Sequence, residues 1–300
     1  MTTNYQIRPA LAQDQQEIAN MMFFERHVHR HLDWQHPTEW LGSPFYWVLE
    51  RNARIMAVLA CPQDRKGTTW LRLFTHLDSI PTQEAWQILW ENAKKELEEQ
   101  GKIKVAAISL KMWMQELLQE SGFINDEQIV MLSWTEKEPL LRKNPEGIII
   151  RAMKKDDLDK VVIVDTNAFT SLWQNPLSVL EQAYARAITA TVAETNTGRI
   201  IGYQITTTSP FGAHLARLAV HSEGQRQGIA SALISNLTEE LLAKEIAQLS
   251  VNTQSSNKRS LAFYQKNGFK HTEEEYPLYS FQFAYKKKEK EPQWDTVKMP

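Results

Sequence analysis

Between Ala216 and Ile234 the chain passes from a short apolar run ending at Val220, through a turn carrying Gly224, Gln225 and Gly228, into an amphipathic segment. A strand that feeds a glycine-bearing turn into a helix start is a device for holding a phosphate. The first amides of a helix have no partner inside it, and the helix dipole adds partial positive charge at that end. An anion therefore binds there without a basic side chain. Gly228 keeps a side chain from standing between a ligand and the backbone. Further on, Leu249 to Phe269 reads as a strand, an N-cap at Asn257, a few turns of helix, a C-cap at Gly268 and a new strand. Tyr264 falls near the end of that helix, where a phenol can face a cleft.

The elements that must hold these residues occur twice. Ile7, Arg8 and Asp14 begin the same pattern as Ile150, Arg151 and the acidic run at Asp156, an offset of 143. Glu50 and Asn52 match Glu194 and Asn196, offset 144; Leu71 to His76 matches Ala216 to His221, offset 145; Gly122-Phe123 matches Gly268-Phe269, offset 146. A slow drift is what small loop insertions produce, so the order predicts two copies of one fold. The polar stretch from Thr135 to Gly147, with Pro139 and Pro145, suits the join. The expected division is residues 1–138, a linker at 139–147, a second domain at 148–285 and a charged tail at 286–300. In the second copy we expect a strand at 148–151, a helical region at about 156–188, and a hairpin over 189–208 turning at Asn196 to Gly198. A strand at 213–220, a helix at 228–243, a strand at 248–252, a helix at 258–267 and closing strands at 269–285 follow. Such mixed elements predict an α+β (α/β layered) fold, a twisted mixed sheet flanked by helices in each copy.

The first copy lacks the chemistry. By the shared offsets Gly228 becomes Gln83, Gln225 becomes Ile80, Asn257 becomes Lys111 and Tyr264 becomes Leu118. Pro81 sits inside the would-be phosphate turn, and proline has no N–H to offer.

The bulk numbers set limits. The 300 residues are 42% hydrophobic and 23% charged, with a formal net charge of −2. That is a soluble globular composition, long enough for two cores, and it argues against a general nucleic-acid binder. The single cysteine, Cys61, excludes an internal disulfide and fits a reducing compartment. The charges at Arg8, Asp14, Glu17 and Glu25 interrupt any leader-like apolar run, and no stretch approaches a membrane span. A cytoplasmic protein with no membrane or nucleic-acid partner is expected. The oligomeric state is open. The tail from Lys286 alternates lysine with glutamate and reads as solvated.

The two segments of the second copy, in this order and spacing, resemble the GNAT superfamily of acetyl-CoA-dependent N-acetyltransferases. The family's phosphate motif is Gln or Arg, two residues, Gly, one residue, Gly or Ala; here it is Gln225, Gly228 and Ala230. Alone that pattern is weak; joined to Asn257, Tyr264 and Gly268-Phe269 it is specific. The likeness covers the second copy well and the first in outline, and unequal pairs of this kind occur among tandem members. It implies that the backbone from Gln225 through Arg226, Gln227, Gly228 and Ile229 to Ala230 holds the CoA pyrophosphate. It implies that Leu218 and Val220 flank the pantetheine arm, with a bulge or splay in their strand freeing an amide for the thioester oxygen. Arg226 and Lys258 are phosphate contacts or plain solvated bases. Tyr264 matches the tyrosine that protonates the leaving thiolate; the competing reading is a core tyrosine.

The general base is open. In ribosomal-protein acetyltransferases of this family a glutamate stands where this chain has Asn252, which cannot accept the proton. In histone-type members the base opens the strand, at the position of His214 here. Strand alternation would put 214, 216, 218 and 220 on one face, and an imidazole can take a proton from an ammonium. His221 and Glu194 are weaker candidates. The histidines from His27 to His36 invite a metal, and His27 and His31 would share a helix face at i, i+4. No glutamate or cysteine follows at a motif spacing, so we expect no metal. Trp34, Trp40, Phe45, Tyr46 and Trp47 are either an acceptor wall or packing between the copies, the latter favoured. Phe169, Trp173 and Tyr184 occupy the matching region of the second copy, nearer the transferred acetyl.

The expected activity is acetyl transfer from acetyl-CoA to a primary amine, on a small molecule in preference to a protein terminus or lysine. The alternative is an acyl-CoA-binding regulatory module with little turnover. A third reading is transfer of longer acyl groups.

Overall fold

The computed structural model describes residues 5–31, 34–62, 67–101, 104–136, 138–139, 141–209 and 211–283. The charged tail expected from residue 286 lies outside the described residues.

The first half runs β1 (Gln6–Pro9), α1 (Gln15–Phe24), β2 (Val28–Arg30), β3 (Tyr46–Arg51), β4 (Arg54–Ala60), β5 (Thr68–Trp70), β6 (Leu73–His76), α2 (Thr82–Glu99), β7 (Lys104–Ile108), α3 (Met112–Glu120) and β8 (Ile124–Trp134). The second runs β9 (Ile148–Ala152), α4 (Leu158–Ala168), α5 (Leu177–Ala185), β10 (Ala187–Thr195), β11 (Ile200–Ser209), β12 (Gly212–Val220), α6 (Ile229–Ala243), β13 (Leu249–Gln254), α7 (Lys258–Lys266) and β14 (Lys270–Gln282). Mixed sheets flanked by helices are as the sequence predicts. The single helical region expected at about 156–188 is two helices, α4 and α5. Pro176 stands at the N-cap of α5, and a proline there cannot extend a helix from behind. The closing strands expected at 269–285 are one long strand, β14, irregular between His271 and Glu275.

The repeat extends to side-chain geometry. Arg8 donates to Glu50 at 2.7 Å and forks onto Asp14 at 2.7 and 3.0 Å. Arg151 donates to Glu194 at 2.5 Å and forks onto Asp157 at 2.7 and 3.0 Å. Asp14 and Asp157 then each accept from a backbone amide three residues back, Leu11 and Lys154. An arginine placed identically in both copies, forked on a buried carboxylate, pins the first strand to the start of the first helix and to the hairpin.

Sheet pairing crosses the join between the copies. The five-stranded sheet is ordered β1-β3-β4-β6-β2, and the nine-stranded sheet β5-β7-β14-β8-β13-β12-β11-β10-β9. β8, the last strand of the first half, pairs antiparallel with β13 from Leu249↔Trp134 to Gln254↔Ile129. β14, the last strand of the second half, pairs with β7 from Leu278↔Ile108 to Gln282↔Lys104. Each half thus closes the sheet of the other. A period-2 pattern reveals that β8 and β14 are strands but not which edge they will meet.

The first half also closes its own central gap. β2 pairs with β6, and Phe74 packs edge to face on Trp86 and at a tilt on Trp113. Pro81 is the N-cap of α2. Among the described residues no strand pairs with β12 at the matching place, Leu218 to Val220, on the side away from β11.

Candidate functional site

The site begins with a defect in β12. Ile205 faces Arg217 and Thr206 faces Leu215, so Ala216 is the extra residue of a bulge. β12 pairs parallel with β13 at Ala213↔Leu249 and His214↔Ser250, and the ladder stops there. Beyond Leu215 the two strands part and border a cleft of about 1460 Å³. This is the bulge and splay that the resemblance implies. A strand edge left unpaired in this way can accept an extended ligand as if it were another strand.

The bulge overturns one expectation. Residues 214, 216, 218 and 220 do not share a face, because the extra residue resets the alternation. His214, Arg217 and Ala219 stand opposite Thr207, Ile205 and Tyr203, whose side packs on α4. Leu218 and Val220 stand opposite Gln204 and Gly202 and pack against Ile229 and Leu233 of α6.

At the end of β12 a turn leads to Gly228, the N-cap of α6. Arg226 has φ 64° and Gly228 φ 85°, both left-handed, and turns of this kind form anion-binding concavities. Among the described residues no acceptor takes the amides of Arg226 to Ser231. Ile229, Leu233, Leu237 and Leu241 bury one side of α6 and so hold the helix start at the cleft mouth. The Gln225 side chain donates back to the Val220 carbonyl at 3.0 Å, and Gln227 to the Glu223 carbonyl at 2.8 Å. These glutamines brace the loop and leave its backbone to meet a ligand. Gln225, Arg226, Gly228, Ile229 and Ala230 line the cleft.

α7 forms the opposite lip. Asn257 accepts from the Ser260 amide at 3.1 Å and caps the helix. Lys258 turns back to the Ser255 carbonyl at 2.8 Å, while Arg259 lines the cleft. Tyr264 is 8% exposed, rests on Phe263 and Phe269, and lines the cleft too. Burial pushes its phenol above the usual range, partly offset by the Arg217 charge.

His214 lines the cleft, its Nδ1 2.9 Å from Ser250 Oγ. The Ser250 hydroxyl donates to the Ala213 carbonyl at 3.2 Å, so its oxygen accepts from Nδ1–H and the lone pair of His214 is on Nε2. Burial holds this imidazole below its ordinary range. Asn252 is exposed on β13 and lines the cleft. The weaker candidates have other duties. Glu194 is bound by Arg151, and the Nδ1 of His221 accepts from the Glu223 amide.

A group that sequence reasoning missed lies under the bulge. Arg217 donates to Asp165 at 2.7 Å and to the Trp173 carbonyl at 2.5 Å, its guanidinium 3.6 Å from the Phe169 ring centre. Asp165 is fully buried and also accepts from Tyr203 at 2.5 Å and from the Asn175 amide at 2.7 Å. The signal was present: an arginine in an apolar strand and an aspartate in an apolar helix, each requiring a partner once buried.

The first half supplies the far wall. His31 stacks on Trp70 at 4.6 Å, and Trp70 meets Trp173 edge to face at 5.4 Å. Trp34 packs with Phe169 and Tyr184 in the second half's core, whereas Tyr46 and Trp47 belong to the first half's core. Glu39 accepts from Gln182 at 2.8 Å, and Arg186 donates to the Trp34 carbonyl. The expected helical pairing of His27 and His31 does not occur. α1 ends at Phe24, and residues 28–30 form a strand on β6. His27 stacks instead on His76 at 5.1 Å. Among the described residues no group of three His, Cys, Asp or Glu could hold a metal ion.

Comparison with known proteins agrees with this geometry. Residues 158–269 match the model of the acetyltransferase (GNAT) family. The [Ribosomal protein bS18]-alanine N-acetyltransferase of Escherichia coli strain K12 is 33% identical over 75 residues, 25% of this chain and 51% of that protein. The chain thus spans about half the length of the curated relatives it matches. Among solved structures, a probable N-acyltransferase of Enterococcus faecalis V583 has a TM-score of 0.72 at 7% identity, over 93% of this chain and 72% of that one. A tandem GNAT protein from the clavulanic acid biosynthesis pathway has a TM-score of 0.63 at 15% identity, over 93% and 98%. A GCN5-related N-acetyltransferase from Sphaerobacter thermophilus has a TM-score of 0.58 at 13% identity, over 93% and 95%. At these identities the structures share the fold, and the family match itself is carried by residues 158–269, which are similar to the GNAT acetyltransferases.

Proposed function

We propose that this protein transfers an acetyl group from acetyl-CoA to a primary amine in the cleft between β12 and β13. The observation that carries the reading is the run of unpartnered amides from Arg226 to Ser231, opening into that cleft opposite Tyr264. Residues 148–285 would do the chemistry and residues 1–138 would wall the acceptor, with 139–147 joining them. The amides hold the pyrophosphate, and Arg226 and Arg259 lie at the mouth for the remaining phosphate charge. Leu218 and Val220 lie along the pantetheine path, where the free edge of β12 offers its backbone. An amide near the bulge then meets the thioester oxygen as negative charge develops.

The amine nitrogen attacks the carbonyl carbon, forming the C–N bond as the C–S bond breaks. His214 Nε2, directly or through water, takes the proton released from nitrogen. Tyr264 gives a proton to the departing sulfur. A phenol with a raised pKa is fully protonated at neutral pH, and a thiolate of ordinary basicity is stabilised by its hydrogen bond. Asn252 cannot act as a carboxylate base, so His214 carries that role.

A small-molecule amine is the favoured acceptor; a protein terminus, as in the Escherichia coli relative, or a lysine is the second option. Acetyl-CoA supply and a buried, reduced Cys61 favour the cytoplasm.

Calorimetry with acetyl-CoA, followed by thiol release against an amine panel, tests the reading. Binding with turnover is expected. Binding without turnover of any amine would favour a regulatory acyl-CoA module. Gly228→Leu should abolish coenzyme binding while costing about 1–2 kcal/mol of stability, since a side chain there must adopt a left-handed backbone. Undiminished binding by that variant would remove the loop from the site.

A further inference from the structure

At the acceptor end of the cleft the two halves meet in one aromatic wall. Trp70, with His31 stacked on it, stands on the first-half side. Trp173 and Phe169 stand on the second-half side, Trp173 in edge contact with Trp70. His31 is held neutral by burial and by the neighbouring Arg72 charge, so it adds a flat surface and no charge. Arg217 covers Phe169 and His31 covers Trp70, so this end offers the joined aromatic wall, with Trp173 its more open part, to an apolar body.

The charges are one-sided. Arg30, Arg72, Arg217, Arg226, Arg259 and Lys266 line the cleft, whereas among its described lining residues Glu127 is the lone carboxylate. Glu127 is already engaged by Ser255, Ser256 and the Gln128 amide. Asp165, the carboxylate nearest the bulge, lies behind Arg217 and is fully buried with three donors on it. The phosphate loop and α7 account for Arg226, Arg259 and Lys266. With Arg72 over the Trp40 ring, Arg30 and Arg217 are the lining arginines left over. Arg30 lies on β2 beside buried His29 and is exposed on the strand's other face. Arg217 uses Nε and Nη2 toward Asp165 and the Trp173 carbonyl, which leaves Nη1 outside those contacts. Among the described lining residues no free carboxylate meets a second positive charge on an acceptor, so a polyamine or a basic peptide would enter against the field.

We infer that the acceptor is a small primary amine that carries an anionic group and a flat apolar body, its ring against the joined wall of Trp70 and Trp173 and its anion toward Arg30 and Arg217. The inference rests on the acetyltransferase reading and names the substrate class for that same site. The cationic wall serves the chemistry as well, because it lowers the pKa of the acceptor's ammonium and raises the fraction able to attack.

The test separates anion from ring. The full chain is assayed for acetyl-CoA-dependent thiol release with L-tryptophan and L-phenylalanine, with their decarboxylated counterparts tryptamine and phenethylamine, with O-phosphoethanolamine and with spermidine. Acetyl-CoA affinity is measured in parallel by calorimetry. The expected result is a kcat/KM at least about tenfold higher for an aromatic carboxylate amine than for its decarboxylated partner. Arg30→Gln should shrink that ratio several-fold while sparing tryptamine turnover and acetyl-CoA affinity. If O-phosphoethanolamine outperforms the aromatic acids, the anion stands and the ring is overturned. Preference for tryptamine or spermidine overturns the proposal, as does equal loss on both amines in Arg30→Gln. Turnover of none of the anionic amines by a chain that binds acetyl-CoA also overturns it. Failure to bind acetyl-CoA instead brings down the acetyltransferase reading beneath it.

Discussion

Tyr264 and His214 line the same cleft, and the proposed function gives them opposite tasks that burial would suit. Burial raises the Tyr264 pKa, so the phenol stays a proton donor at neutral pH. It lowers the His214 pKa, so the imidazole stays a base there. Tyr264→Phe should cut kcat by about 10²-fold with acetyl-CoA affinity unchanged; a normal kcat would make Tyr264 a packing residue. For His214 the sign is fixed by its depressed pKa. kcat/KM should stay flat through pH 7 and fall only below the ordinary histidine range, and His214→Gln should lose that acid limb. A limb that persists in the variant belongs to another group. Arg217 and Asp165 make a different case. Removing Asp165 strands a largely buried guanidinium, 11% exposed, and Asp165→Ala should cost about 3–5 kcal/mol in denaturant unfolding.

At the scale of elements, the site depends on a strand from the other half. β8 carries Glu127, whose carboxylate accepts from Ser255 Oγ at 2.8 Å and from the Ser256 amide at 3.2 Å, with the Ser256 hydroxyl also bound. The adjacent Gln128 carbonyl accepts the Ser255 amide at 2.8 Å. Together they clamp the turn that leads into Asn257 and α7. Burial alone would raise the Glu127 pKa, but these hydrogen bonds hold it below the usual carboxylate value. Glu127→Gln should weaken the clamp, raising the acetyl-CoA Kd and lowering kcat by several-fold each, since α7 bears Tyr264. A change in Tm without any change in Kd or kcat would make the contact merely structural. The loop at Arg226–Gly228 was readable beforehand because a turn glycine before a helix has a distinctive composition. A bulge in this strand was implied by the resemblance, but its position at Ala216 was not readable, because one extra residue leaves no mark in an apolar run, and it moved His214 to the face opposite Leu218.

At the scale of the molecule, the exchange of β8 and β14 ties the halves together through the nine-stranded sheet. A fragment of residues 145–283 would expose the edge of β13 and lose the partners of β14. It should fail to give a dispersed NMR spectrum, whereas the whole chain should melt in a single calorimetric transition. A folded, soluble fragment would show that the exchange is dispensable. The acid response should come from the first half. His29 is buried on β2 with its pKa lowered to about 4 by burial, slightly offset by the Leu71 carbonyl. His31 is lowered strongly as well. A histidine kept neutral in the folded state contributes stability that is present above its unfolded pKa near 6.5 and lost as pH falls through the folded value. His29 accounts for roughly 3 kcal/mol between neutral pH and pH 4. His29→Gln should flatten that slope in urea titrations at pH 7 and pH 4.5.

Local chemistry was already written along the chain. The anion turn, the asparagine cap, the placement of Tyr264, the two copies and the loss of the cradle at Pro81 all follow from residue type and short spacing. Backbone geometry over a few residues suffices for each. Pairing across long separations does not follow in that way. Which edge β8 would meet, where β12 would bulge and which carboxylate would lie behind Arg217 are set by contacts between segments far apart in sequence. Those contacts form only when the sheet assembles, and they make one cleft from two unequal halves.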